Sequence, residues 1–417
     1  MSGDKRIAAG LADTRTGYRL TLIACSAIFL LATGWFVAVL ATRPDSTLWG
    51  FLVANFIFLL GITQFGVAFS AIMRICRADW SRAYYRAAEL ITLAFLPIAY
   101  AGLLYIYFQG SPHLFYWFGD AHGVHRSPWL DHELLLWRNL LAQTVFYIIA
   151  IVYFVMGLLP DISADDAATG PGWRRWIYRR LFTLRKSRDE ESLKRNVYLW
   201  SPLVLVAAVI ANTFIAWDFG MMLVEHYHST VFPMYYIIGN MFSGAAALLF
   251  ITVILRRTFA LESLFQTVHV QSMAVLLTGF ALLWMYFFWA QFFVSWYGNL
   301  DHEYGVLTRH FFGHYAPVFW IMMTCNFVIP VACLIFVAFK QSWWAMAVLA
   351  VIINTGIWLN RYLIVVPALA DDHYPLTSLA EFSITAGLVA GFLLILSVFF
   401  NAFPVVSRWE LQSAGDE

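Results

Sequence analysis

An all-α polytopic membrane protein is the expected fold of this chain, on three grounds. Of its 417 residues 61% are hydrophobic and only 12% charged, whereas a soluble domain carries about 45–50% apolar and about 25% charged residues. Mean hydropathy is +0.70, more apolar surface than one aqueous core hides. The apolar residues also gather into ten runs long enough to cross about 30 Å of hydrocarbon, which takes about 20 residues of helix. Soluble globular, disordered, collagenous and nucleic-acid-binding classes are excluded. A net charge of +1 selects no anionic partner.

Span 1 (19–42) is too long for the apolar core of a signal peptide, which is about 7–15 residues. Spans 2 (48–73) and 3 (84–108) are separated by a short basic turn, and Pro97 should kink span 3 and free carbonyls for polar partners. Span 4 (134–159) leads into the longest loop, 160–197. There Trp173, Trp176, Ile177, Leu181 and Phe182 alternate with Arg174, Arg175, Arg179 and Arg180 at helical spacing, which predicts an interfacial amphipathic helix over 173–186. Spans 5 (198–217) and 6 (231–255) are divided by Asp218, His226 and His228, and spans 6 and 7 (271–296) by Arg256 and Arg257. Spans 8 (315–338) and 9 (342–366) meet at Lys340, and Pro330 should kink span 8; Asp371, Asp372 and His373 precede span 10 (379–402). The organisation is then a tail (1–18), a ten-helix membrane domain (19–402) and a second tail (403–417).

Lys and Arg placement sets the orientation. With the N-terminus in the cytoplasm, 21 of the 26 basic residues fall on the cytoplasmic side, which predicts N-in and C-in. Histidine does the reverse, with ten of eleven on the outer side. Cys25, Cys76, Cys325 and Cys333 show no Cys-x-x-Cys spacing, so iron–sulfur ligation, covalent haem and zinc are not expected of this chain. No histidine lies deep in a span, which argues against b-type haem. His226-x-His228 and His310 to His314 are spaced for a metal but lack supporting ligands, so no metal site is expected. There is no P-loop.

Ionisable and amide groups inside the spans are costly and ask for a reason. Glu89 lies three residues after Arg86, on the same helix face: a local ion pair or a carboxylate that admits protons. Gln64, Gln143, Asn212, Asn240, Gln291, Asn326, Asn354 and Asn360 are interhelical glue singly and together suggest a polar interior. Arg138 and Arg361 need acceptors, with Asp218, Glu381, Asp131 and Glu133 at suitable depth, or they face a carbonyl ligand.

An ordered series of stretches is distinctive: Phe69-Ser70-Ala71-Ile72-Met73-Arg74, Ala78-Asp79-Trp80, Arg86-Ala87-Ala88-Glu89, Leu114-Phe115-Tyr116-Trp117 and Gly157-Leu158-Leu159-Pro160-Asp161. It continues with Trp217-Asp218-Phe219, His228 to Pro233, Phe292 to Asn299 with Glu303 and Arg309, Cys325-Asn326 and Trp358-Leu359-Asn360-Arg361. Over about residues 48–400 this resembles the NrfD/PsrC family of membrane subunits. The likeness is greatest to the ten-helix quinol-side subunits of alternative complex III, with the membrane component of the related quinone reductase complex close behind. The resemblance implies two four-helix bundles (spans 2–5 and 6–9) with spans 1 and 10 peripheral, in a bacterial cytoplasmic membrane. It implies a quinone or quinol (menaquinone or ubiquinone) site near the outer face and no redox centre in the chain. The implied partners are an extracytoplasmic iron–sulfur subunit, multihaem cytochrome c subunits, a second member of the same family and membrane lipid.

Departures from the family pattern accompany it. Phe108-Gln109 stands where quinone-binding members carry a histidine, and Arg138 follows Trp137 where they carry an acid. Gln64 and Asn212 replace two further expected histidines. Three readings follow. In the first, the chain serves a quinone/quinol oxidoreductase. Gln64, Gln109, His113, His132 and Arg138 bind the headgroup at the outer ends of spans 2–4, and Asp131 accepts a proton, so Asp131, His132 and Arg138 are the candidate catalytic set. In the second, no quinone binds, and Glu89, Asp218, His226, Glu303, Arg309 and Arg361 conduct protons. In the third, the chain anchors extracytoplasmic redox subunits.

Overall fold

The computed structural model describes residues 15–118, 129–168, 172–186, 189–225, 227–258, 261–299, 305 and 308–412. Among them ten helices are long and apolar enough to span a membrane: Tyr18–Thr42, Ser46–Ile75, Asp79–Leu114, His132–Asp161, Glu191–Leu223, Phe232–Thr258, Thr267–Gly298, Ala316–Leu334, Trp343–Ala368 and Leu379–Ala402. They are spans 1–10 in order, and no strand accompanies them among the described residues. Two spans are much longer than the apolar count suggests. Span 5 starts earlier because the Asp189 carboxylate accepts from the Ser192 N–H at 3.2 Å and caps a helix whose first turns are polar. Span 3 gains a 3₁₀ turn, Asp79–Tyr84, at one end, and a π turn, Ile106–Gly110, with Ser111–Leu114 at the other.

Spans 2 to 5 close one four-helix bundle, span 5 returning to span 2, and spans 6 to 9 close a second, span 9 returning to span 6. Span 2 packs on spans 6 and 9, and span 5 on span 6, so the bundles share a wall. The most apolar stretch of span 2 is 89% buried and that of span 1 only 11%, which makes span 2 the shared core. Span 1 pairs with span 10, and span 10 packs on spans 2 and 3. Small residues permit the close approaches. A Cβ on Gly66 would lie 2.1 Å from the Ala88 carbonyl oxygen, and one on Gly61 would lie 2.1 Å from Asn240 Oδ1.

Pro330 leaves the carbonyl four residues back without its usual donor. The π turn Thr324–Val328 sits immediately before it and absorbs the misfit. The helix Gly172–Lys186 forms where the amphipathic pattern predicts, though with a different inner face. Tyr178 and Leu181 are buried, whereas Trp173 and Trp176 are exposed. Tyr178 Oη donates to the Ala402 carbonyl at 3.0 Å and its ring stacks near Phe403, which ties this helix to the end of span 10.

Candidate functional site

One end of the molecule carries the arginines of the turn between spans 2 and 3 and of the helix after span 4; the opposite end carries His113, His132, His310, His314 and His373. At the histidine-bearing end of the first bundle, Asp131 is the N-cap of span 4, its Oδ1 accepting from the Leu134 N–H at 2.7 Å. That cap fixes His132 as the first helical residue. The His132 ring stacks on Tyr107, centroids 4.2 Å apart, with Nδ1 2.9 Å from Tyr107 Oη, and Phe118 closes edge-on at 4.7 Å. Nε2 of His132 is buried and has no hydrogen-bond partner among the described residues. Tyr107 is presented by the π turn of span 3, where the extra residue per turn rotates the chain. Gln109, in the same turn, is exposed, and His113 stacks on Trp49 at 6.1 Å.

Arg138 lies deeper and faces no open space. Its Nε and Nη2 donate to Asp218 Oδ2 and Oδ1 at 2.8 and 2.5 Å, and Nη1 donates to the Trp129 carbonyl at 2.6 Å. The guanidinium also lies 4.2 Å over the Trp129 ring. Asn139 Nδ2 and Trp129 Nε1 complete the Asp218 carboxylate, at 2.5 and 3.3 Å. Two residues expected in separate roles, headgroup binding and proton relay, therefore form one buried, bidentate ion pair. Asn139 and Tyr107, which sequence reasoning missed, are its partner and that of His132.

Gln64 is likewise committed elsewhere. Its Nε2 donates to Gln143 Oε1 at 2.5 Å and its Oε1 accepts from Asn212 Nδ2 at 2.8 Å. Asn240 Nδ2 donates to Asn212 Oδ1 at 2.9 Å, and Arg361 Nη2 donates to Asn240 Oδ1 at 2.9 Å. Arg361 Nη1 donates to Asn360 Oδ1 at 3.1 Å, and Asn360 Nδ2 to the Tyr235 hydroxyl. Spans 4, 2, 5, 6 and 9 are joined in this single ladder across both bundles. Amide groups hold protons rather than pass them, so the ladder is a crosslink before it is a conduit.

At the arginine-bearing end Glu89 is locked between two guanidiniums, Arg74 at 2.7 Å and Arg86 at 3.5 Å. Arg86 also meets Asp161 at 3.0 Å, and Arg74 meets Glu410 of the C-terminal helix Arg408–Gln412 at 2.7 Å. Burial pushes the Glu410 carboxyl above the usual carboxylate range, against the pull of Arg74. Arg309 is half-exposed beside Asp371 at 3.7 Å and donates to the Pro367 carbonyl at 3.2 Å. His226 and Glu303 lie outside the described residues. Among the described residues no three His, Cys, Asp or Glu side chains converge to hold a metal.

At the histidine-bearing end of the first bundle, the His132–Tyr107 pair is able to exchange a hydrogen bond with a small ligand. The tyrosine hydroxyl both donates and accepts, so either imidazole tautomer is satisfied at Nδ1, and Nε2 serves as acceptor or donor. Comparison with known proteins gives two findings. Residues 38–370 match the model of the family described as polysulphide reductase, NrfD. The chain is also similar to a selenate reductase subunit of Mesobacillus selenatarsenatis, 21% identical over 388 residues covering 86% of each protein.

Proposed function

The chain belongs to the NrfD family of polysulphide reductase membrane subunits, and from that premise we propose that it is the quinone-interacting subunit of a multisubunit oxidoreductase. It exchanges electrons between the membrane quinone pool and an iron–sulfur partner docked at the histidine-bearing end, from which cytochrome c subunits carry them on. The observation that supports this most is the buried Nε2 of His132, which has no partner among the described residues and is oriented by Tyr107 at 2.9 Å. A buried ring nitrogen without a partner costs about 1–3 kcal/mol, and a headgroup oxygen relieves it.

In the oxidising direction a quinol gives up two O–H protons and two electrons. With Nδ1–H donating to Tyr107 Oη, Nε2 accepts the first proton, and the imidazolium passes it toward the exposed Asp131 carboxylate one residue away. The second proton leaves by the same acceptor after it is discharged, and the two electrons go to the partner's iron–sulfur centre. Reduction of a quinone reverses each transfer, with Nε2–H as the donor. In this scheme Arg138 does not touch the headgroup. It holds Asp218 and Trp129, and through Trp129 the approach to span 4.

His132→Leu in the intact complex should lower quinol-dependent turnover by about 10²-fold or more, while turnover with a soluble electron donor feeding the partner subunits stays at the wild-type rate. Unchanged quinol turnover in that variant would rule the site out. The proton-conducting alternative draws on Glu89 and Asp218, both tied to arginines; a lower proton-to-electron ratio in Glu89→Gln at unchanged quinol turnover would favour it.

A further inference from the structure

The histidine-bearing end of the second bundle holds a cavity of about 490 Å³ that the proposed site at His132 does not use. Aromatic and other apolar side chains form the larger part of its walls, Phe232, Phe288, Phe292, Phe319, Met322 and Leu363 among them. That volume and lining suit a flat organic ring. Polar groups line it as well: Tyr235, Asn360, Gln291 and His310, with the charged Glu225 and Arg309.

Two of these, Tyr235 and His310, have a defined hydrogen-bonding sense. Arg361 is fully buried, and its partners among the described residues are neutral: the Asn360 and Asn240 side-chain oxygens, the Tyr236 carbonyl and the Tyr236 ring. From this cation every link donates toward the cavity. Arg361 Nη1 donates to Asn360 Oδ1, and Asn360 Nδ2 donates to Tyr235 Oη. The Tyr235 hydroxyl is thereby an acceptor already, and its own hydrogen is left to donate to a ligand. A chain of donors that starts on an arginine polarises its last member. His310 also lines the cavity; its Nε2 lies 3.0 Å from the Leu363 carbonyl oxygen, which accepts only, so Nε2 carries the proton and Nδ1 keeps a lone pair. Burial pushes the His310 imidazole down to about 4, so the ring is neutral and this assignment holds at physiological pH.

A donor and an acceptor in one aromatic-lined cavity match a ring that carries two oxygens. We propose that this cavity is a second binding site for a quinone-class headgroup, with Tyr235 O–H donating to one oxygen and His310 Nδ1 accepting from, or approaching, the other when it is a hydroxyl. The proposal rests on the reading of the chain as quinone-interacting, and places a site in spans 6–9 apart from that of His132.

The test is photolabelling of the intact complex, in phosphatidylcholine nanodiscs, with an azido-benzoquinone carrying a decyl tail, followed by mass mapping of labelled peptides. Label is expected on peptides containing Tyr235 or the stretch from His310 to Met322, in addition to the one containing His132. Tyr235→Phe, which keeps the shape and removes the donor, should lower the label in the second bundle by about tenfold, the worth of one strong hydrogen bond. Met322→Trp, which fills the slot, should abolish it, and decyl-benzoquinone without the azide should compete it away. Label confined to the His132 peptide overturns this proposal and leaves the first site standing. Label in the second bundle alone supports it and removes the first site. Second-bundle label that is indifferent to both substitutions, or is competed by added phospholipid but not by the unreactive quinone, marks a lipid-filled slot and overturns it. Label at neither peptide overturns both readings.

Discussion

Asp218 shows what a single carboxylate does in this molecule. It receives four donors, from Arg138, Asn139 and Trp129, and is fully buried. Removing one partner of such a pair leaves a charge without compensation, at a cost of about 3–5 kcal/mol. Asp218→Asn should therefore lower the thermal unfolding midpoint of the purified complex clearly, and Arg138→Met combined with Asp218→Leu should recover most of the loss, as two apolar groups replace two charges. A single variant that unfolds with the wild type would contradict the bidentate pair. His310 gives a second residue-level expectation. Its folded value of about 4 lies below the ordinary 6.5, so between those values the unfolded chain binds the proton and the folded one does not. Stability is intact above about pH 6.5 and falls as pH drops toward 4. Urea titrations between pH 7 and 4.5 should show that decline, and His310→Asn should flatten it. Sequence alone singled out Arg138, Asp218, Gln64 and Arg361, since charge and amide inside apolar runs are conspicuous. It offered Asp218 among four acceptors for the two arginines but could not choose between them, because Arg138 and Asp218 are 80 residues apart. Tyr107 and Tyr235 were invisible among 20 tyrosines; which hydroxyl faces a cavity is decided by packing.

At the scale of the helix, the apolar runs predict ten spans, and ten are present among the described residues. Their ends are less legible. The polar first turns of span 5 and the 3₁₀ and π extensions of span 3 are held by caps and tertiary contacts rather than by hydrophobicity. The amphipathic helix lies where its pattern puts it, but Tyr178 faces inward because the Ala402 carbonyl, 224 residues away, awaits its hydroxyl. Gly61 is where two helices depend on one missing atom. A methyl there would overlap Asn240 Oδ1 and Cγ at 2.1 and 2.4 Å, cutting the amide ladder between the bundles. Gly61→Ala should destabilise the protein by about 1–3 kcal/mol, read as a lower unfolding midpoint, and Gly61→Ala with Asn240→Ala should regain part of it. Additive losses in the double variant would show that the clash lies elsewhere.

For the whole molecule, the two-bundle plan came from the resemblance, since apolar periodicity counts helices without saying which ones touch. The shared wall of spans 2, 5, 6 and 9 confirms the grouping. Orientation rests on the asymmetry of basic residues, and its expectation is definite. A reporter phosphatase fused after the last residue should be inactive, and one inserted at Tyr374 should be active; the reverse pattern would invert the molecule. Partners were not legible at all beyond the resemblance, because they are encoded in other chains.

The C-terminal helix gives the fold a sense of time. Arg74, Arg86, Glu89 and Asp161 are all synthesised before the chain is half made, but Glu410, which neutralises Arg74 at 2.7 Å, comes 336 residues after it. The backbone N–H groups of Arg408 and Trp409, which fill Asp161 Oδ1 at 3.0 and 2.9 Å, come equally late. At about 5–20 residues per second of translation the cluster stands incomplete for on the order of tens of seconds. A ribosome that stops between Ala402, the end of span 10, and residue 410 releases a protein with every span made and Arg74 without its Glu410 partner. The helix that follows span 10 is thus the seal of that cluster, made after every one of its partners.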